Sequence, residues 1–140
     1  MISIMNKIIN TAIAYFALAI AAGVFYREFT KYNGFTGTTA LGRVHTHLFI
    51  LGMILFLILA LFCRQDNGLL NSKTFKRFFV LYNIALPFMA CTMLVRGIMQ
   101  VQNVDLSKSA DAMLSGITGI AHILITISLS LLFAALRKNP

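Results

Sequence analysis

Four apolar runs, at about 8–25, 41–63, 78–101 and 113–136, take up most of this 140-residue chain. Each is close to the ~20 residues that a helix needs to cross a hydrocarbon core. Lipid offers the backbone no hydrogen-bond partners, so a spanning segment satisfies its own N–H and C=O groups as a helix or closes into a barrel. Barrel strands show as alternating segments of about ten residues, and these runs do not alternate. The expected fold is therefore all-α and integral to the membrane: a four-transmembrane-helix bundle in one domain, 1–140. Composition agrees, with 59% hydrophobic and 11% charged residues against about 25% charged in soluble domains. Mean hydropathy is +0.82.

The net charge of +8 raises nucleic acid as a partner. However, the basic residues fall between the apolar runs, where they serve lipid headgroups, and no soluble basic face is left for a nucleic acid. The bilayer is the expected partner. Lys and Arg also set orientation. The face shared by the N-terminus, second loop and C-terminus carries Lys7, Arg64, Lys73, Lys76, Arg77, Arg137 and Lys138. The opposite face carries Arg27, Lys31, Arg43, Arg96 and Lys108. Seven against five places both termini in the cytoplasm of a bacterial cell, in a multi-pass cytoplasmic-membrane protein. Lys7 followed by an apolar stretch reads as an uncleaved first helix, since no small-residue cleavage site with a polar mature domain follows.

Asn33-Gly34 and Asn67-Gly68 mark turns. Ser109 or Asp111 is expected to cap the fourth helix, and Pro87 to kink the third. Cys63 and Cys91 lie in different runs with no CxxC or CxxCH, which excludes a thiol oxidoreductase and covalent c-type haem. Cys91 reads as a small packing residue, and Cys63 as lying near a membrane face. The seven methionines are scattered and read as packing.

Ionisable groups inside a membrane are costly and are functional candidates by default. Here they gather in the outer half. His45 and His47 stand near the outer start of the second span, and His122 about nine residues into the fourth. Arg27, Arg43 and Arg96 lie at the outer rim. A single histidine can simply glue helices together, but three with arginines nearby point to a ligand. Neighbours on a helix differ by ~100°, so His45 and His47 differ by ~200° and cannot share one metal ion. Opposite rings suit two ligands, or one ligand and one structural partner. Gly52 follows His45 by seven residues, where it leaves room either for a flat group or for close helix packing. Haem iron takes histidine ligands, and arginines can pair with its propionates. No intramembrane Asp or Glu is available for a proton- or ion-coupled transporter.

The segment "VHTHLFILGM", Val44 to Met53, resembles the H-x-H segment of one helix in subunit I of haem–copper oxidases. Together with "FYREFTKYNGFTG", Phe25 to Gly37, it also resembles a group of short four-span bacterial membrane proteins that look related to that subunit. In the oxidase subunit, the two histidines serve two haems on opposite faces of one helix, and twelve helices form three pseudo-symmetric groups of four. The resemblance thus implies a homotrimer in which a b-type haem takes His45 from one protomer and His47 from its neighbour. The rival arrangement pairs His122 with one of them inside a protomer. The chain lacks the oxidase's further copper-binding histidines and cross-linked tyrosine, so it is not expected to reduce oxygen on its own.

The expected function is a membrane haem b protein for electron transfer or for binding oxygen or nitric oxide. Its redox partner is not specified, and a haem-dependent oxidoreductase role is left open. The alternatives are a copper or haem handling protein, with copper as the ion, and a purely structural membrane module. The topology can be tested directly. Periplasm-dependent reporters fused after Gly34 or Asp105 should be active, and the same reporters fused after Asn71 or at the C-terminus should be inactive.

Overall fold

The computed structural model describes residues 2–65 and 67–138, with side chains over 5–64 and 68–137. The side chain of Lys138, counted above, is therefore outside the described residues. The described residues are 88% helix, with no strand among them. The helices are α1 (Ile2–Tyr32), α2 (Leu41–His47), α3 (Leu55–Gln65), α4 (Asn67–Asn71), α5 (Lys73–Val101) and α6 (Lys108–Lys138). A π-helical stretch, Leu48–Ile54, joins α2 to α3 without a break. Four helical segments are long and apolar enough to cross a membrane: Met5–Tyr32, Leu41–Arg64, Lys73–Val101 and Lys108–Arg137.

The helices overrun the apolar runs, because charged residues at headgroup level continue a helix without entering hydrocarbon. The first span reaches Tyr32, so Arg27 lies inside it and not in a loop. It stops where Gly34 adopts φ +60, a conformation open to glycine at little cost. The fourth span starts at Lys108, five residues before the apolar run. Its cap is Ser107, whose Oγ accepts the Ala110 N–H at 3.2 Å, and not Ser109 or Asp111. This earlier start puts His122 near the midpoint of a 31-residue helix. α5 runs continuously through Pro87.

The first span packs along the second, and the second packs on its other side against the third. The fourth lies along the third and, among the described residues, along no other span to any extent. Aromatic rings fill the three-helix core. Tyr15 stacks on Phe56 at 5.8 Å, and Phe56 meets Tyr82 edge-on at 5.8 Å. Hydroxyls in this apolar core need acceptors. Tyr15 donates to Asn83 Oδ1 at 3.0 Å, and Tyr82 donates to the Leu51 carbonyl within the π-helical stretch at 2.8 Å. Cys63 belongs to this core, whereas Cys91 is exposed and not a packing residue as expected.

The N-terminus of α2 is held by the third span. A helix start leaves N–H groups unsatisfied. Here Gln100 Oε1 accepts the Ala40 N–H at 2.8 Å, while Thr39 donates to the Gly97 carbonyl at 3.0 Å. Gly97 permits this approach, since a Cβ there would lie 2.5 Å from the Leu41 backbone nitrogen. The Gly97→Ala variant should therefore lose about 1–3 kcal/mol, measured as a lowered unfolding midpoint in detergent. The Gly116→Ala variant, where a Cβ would meet nothing within 4 Å, should not.

Candidate histidine site

His45 and His47 stand on the α-helical part of the second span, so the ~200° divergence expected from their spacing holds. His45 faces the first span. Its ring stacks on Tyr26 with centroids 6.4 Å apart and planes 13° from parallel. A Cβ on Gly23 would lie 3.7 Å from His45 Cβ and Cγ, so a larger residue at 23 would press on the ring. The His45 Nδ1 is buried with no hydrogen-bond partner among the described residues. A buried polar atom without a partner is costly, which makes this nitrogen the most conspicuous unmet group among the described residues.

His47 and His122 share a different arrangement. The Nδ1 of His47 lies 2.7 Å from the Arg43 carbonyl, and that of His122 lies 2.8 Å from the Thr118 carbonyl. A carbonyl oxygen only accepts, so each neutral ring carries its proton on Nδ1. The lone pair is then on Nε2, free to accept a hydrogen bond or bind a metal. His47 is half-buried and His122 exposed. On the fourth span, Ala121, Ile125, Ser128, Leu132 and Ala135 are buried and form the packed stripe. His122 lies ~100° off that stripe, on a face that also carries Ser115, Gly119 and Thr126, all exposed. Within one chain, no three His, Cys, Asp or Glu side chains come together to hold a metal ion among the described residues.

The other candidates divide. Gly52 also faces the first span, where a Cβ would lie 2.6 Å from Tyr15 Cβ and Cγ. Close packing therefore occupies this place, and no room for a flat group remains beside it. Arg96 ties the third span to the fourth, donating to Ser115 Oγ at 2.7 Å and pairing with Asp111 at 3.2 Å. Arg27 is exposed and lies 3.7 Å from its neighbour Glu28. Arg43 is exposed and pairs with no acid among the described residues. Arg43 and Arg96 line one cavity of about 500 Å³ with Tyr26, Gly42, Thr39 and Gln100. The partnership of His45 with Gly23 and Tyr26 was not read from the sequence. The small residue within "FYREF"-flanked apolar sequence was its only signal. The π-helical stretch had no signal at all.

Four helices among the described residues, each long and apolar enough to cross a membrane, define a multi-pass α-helical membrane protein. The chain belongs to the family described as Protein of unknown function (DUF2871), whose profile matches residues 5–139. No curated protein and no solved structure matches the chain.

The ring geometry makes a spectroscopic prediction. At alkaline pH, ¹⁵N-resolved NMR of labelled protein should show His47 and His122 as Nδ1–H tautomers. Replacing Gly23 with Leu should shift the His45 ring resonances and leave those of His122 unchanged.

Proposed function

We propose that this chain is a membrane haem protein in which histidine in the outer half of the bilayer holds a b-type haem. The observation that carries this reading is that His47 and His122 each anchor Nδ1 on a carbonyl of their own helix. Each thereby offers Nε2 outward from a fixed ring. Metal-ligating imidazoles commonly have this arrangement, because a second hydrogen bond fixes the tautomer and raises the basicity of the ligating nitrogen. His45, with its unpartnered Nδ1, is the third donor. Haem iron so ligated changes oxidation state by one electron and, at an open position, binds oxygen or nitric oxide.

The chain's own residues do the rest. Tyr26 and Gly23 hold the His45 ring against the first span. Arg43, unpaired at the rim, is the cation that would take a propionate, while Arg96 is committed to Asp111 and Arg27 to the surface. His45 and His47 diverge by ~200° on one helix, and among the described residues no three potential ligands come together, so a second ligating histidine would come from another copy. The resemblance to the oxidase subunit makes three copies the preferred number.

An optical spectrum tests this. Protein expressed with ample haem should show a Soret band that shifts on dithionite reduction, and His45→Ala and His47→Ala should each abolish the reduced spectrum. Retention of ligation in His122→Ala favours the His45–His47 pairing between protomers. Loss in His122→Ala with retention in His45→Ala favours His122 with His47. Protein that remains colourless after expression and haem reconstitution would sink the proposal.

A further inference from the structure

The seam between the first and third spans is open at the face that carries the N-terminus. One cavity there, of about 410 Å³, is walled by Ile8, Leu70, Phe75 and Phe79 and edged by Lys7 and Lys76. A second, of about 490 Å³, shares Lys7 and Phe79 with the first and continues past Asn10 and Ala14 to Tyr15 and Asn83. The two are thus consecutive stretches of one groove. It has basic groups at its mouth, apolar walls along its length, and the Tyr15–Asn83 hydrogen bond across its inner end. From Lys7 to Tyr15 the helix rises about 12 Å at 1.5 Å per residue. One leaflet of hydrocarbon is about half of the ~30 Å core. The groove therefore has the length of one leaflet.

We propose that this groove binds an anionic phospholipid drawn from the leaflet at the N-terminal face, with its phosphate at Lys7 and Lys76 and an acyl chain running toward Tyr15. This inference does not depend on the haem reading. Both lysine side chains are exposed, and neither has an acidic partner among the described residues. They sit on separate spans and edge the same cavity, so one anion can serve both. Juxtamembrane lysines attract anionic lipid in this way, and basic pockets between spans select its headgroups. A free phosphate would meet the ammonium groups but leave the apolar walls unfilled. A second copy laid in the groove in the same orientation would bring its own Lys7, Lys73 and Lys76 against these two, like charge against like. The phospholipid alone matches both the charge at the mouth and the apolar length behind it.

Native mass spectrometry of the detergent-purified full chain tests the site, with phosphatidylglycerol and phosphatidylcholine as probes. The wild type should retain phosphatidylglycerol with a preference of roughly tenfold or more over phosphatidylcholine. The Lys7→Gln/Lys76→Gln double variant should lose that preference, and Lys73→Gln, on the same face but outside the cavity lining, should keep it. Ala14→Phe leaves both lysines in place but fills the groove, and should weaken phosphatidylglycerol binding. Glycerol phosphate, which has the head without the chains, should not displace the lipid. Circular dichroism should show all variants helical. Equal retention of the two lipids by the wild type overturns the proposal, as does a preference that survives the double lysine variant. Displacement by glycerol phosphate would show a plain phosphate site instead. An Ala14→Phe variant that dissociates an oligomer while binding lipid normally would show a protein-occupied groove.

Discussion

In a bilayer, helices gain nothing by hiding apolar surface from water, because the lipid is as apolar as they are. Association rests on close contact and on polar groups that find partners. The second span meets this constraint on both sides with glycine. Gly52 accepts the side chain of Tyr15 from the first span, and Gly97 of the third accepts the backbone at Leu41. The loop before α2 is fixed by hydrogen bonds to the Gly97 carbonyl and the Gln100 side chain. Everything at the N-terminal end of the second span inherits its position from these contacts, including the direction in which His45 and His47 point.

The histidines make sense against that rigid support. A ring on a loosely held helix would not keep a buried nitrogen without a partner, because small shifts would let it find one. His45 Nδ1 is held in that condition between Gly23 and Tyr26. The fourth span differs in kind. Among the described residues it is joined to the rest chiefly through the third span, clasped near its N-terminus by Arg96, and it turns a face with small and polar residues and an imidazole away from the core. An imidazole on a face turned toward lipid is an unfinished arrangement, and a neighbouring chain or a bound group would complete it.

Much of the fold was legible because a bilayer imposes length and apolarity, and both can be counted along a chain. The number of spans, their order and the turn at Asn33-Gly34 follow from that counting. The helix ends did not, because Arg27 and Lys108 extend helices at headgroup depth where apolarity no longer reports on structure. For this reason the cap fell at Ser107, and His122 lies fourteen residues, not nine, from the start of its helix. At the site, the spacing of His45 and His47 carried real geometric information, since a rotation per residue is a local property. The roles of Gly52 and Arg96 did not follow from the sequence. Each has two chemically sensible uses, and only the identity of the neighbour across the interface, Tyr15 in one case and Asp111 in the other, decides between them.

The π-helical stretch between α2 and α3 shifts the rotational phase of one part of the second span relative to the other. A wider turn accommodates an added residue without lengthening the span by a full α-helical step, and Tyr82 secures it by taking the Leu51 carbonyl. Below it, Phe56 keeps its place in the aromatic core. Above it, the two imidazoles stand on a helix whose Val44 and Leu48 are buried in the same core. The wider turn therefore sets the angle between the imidazoles above it and Phe56 below it, while both parts of the span stay packed in one core.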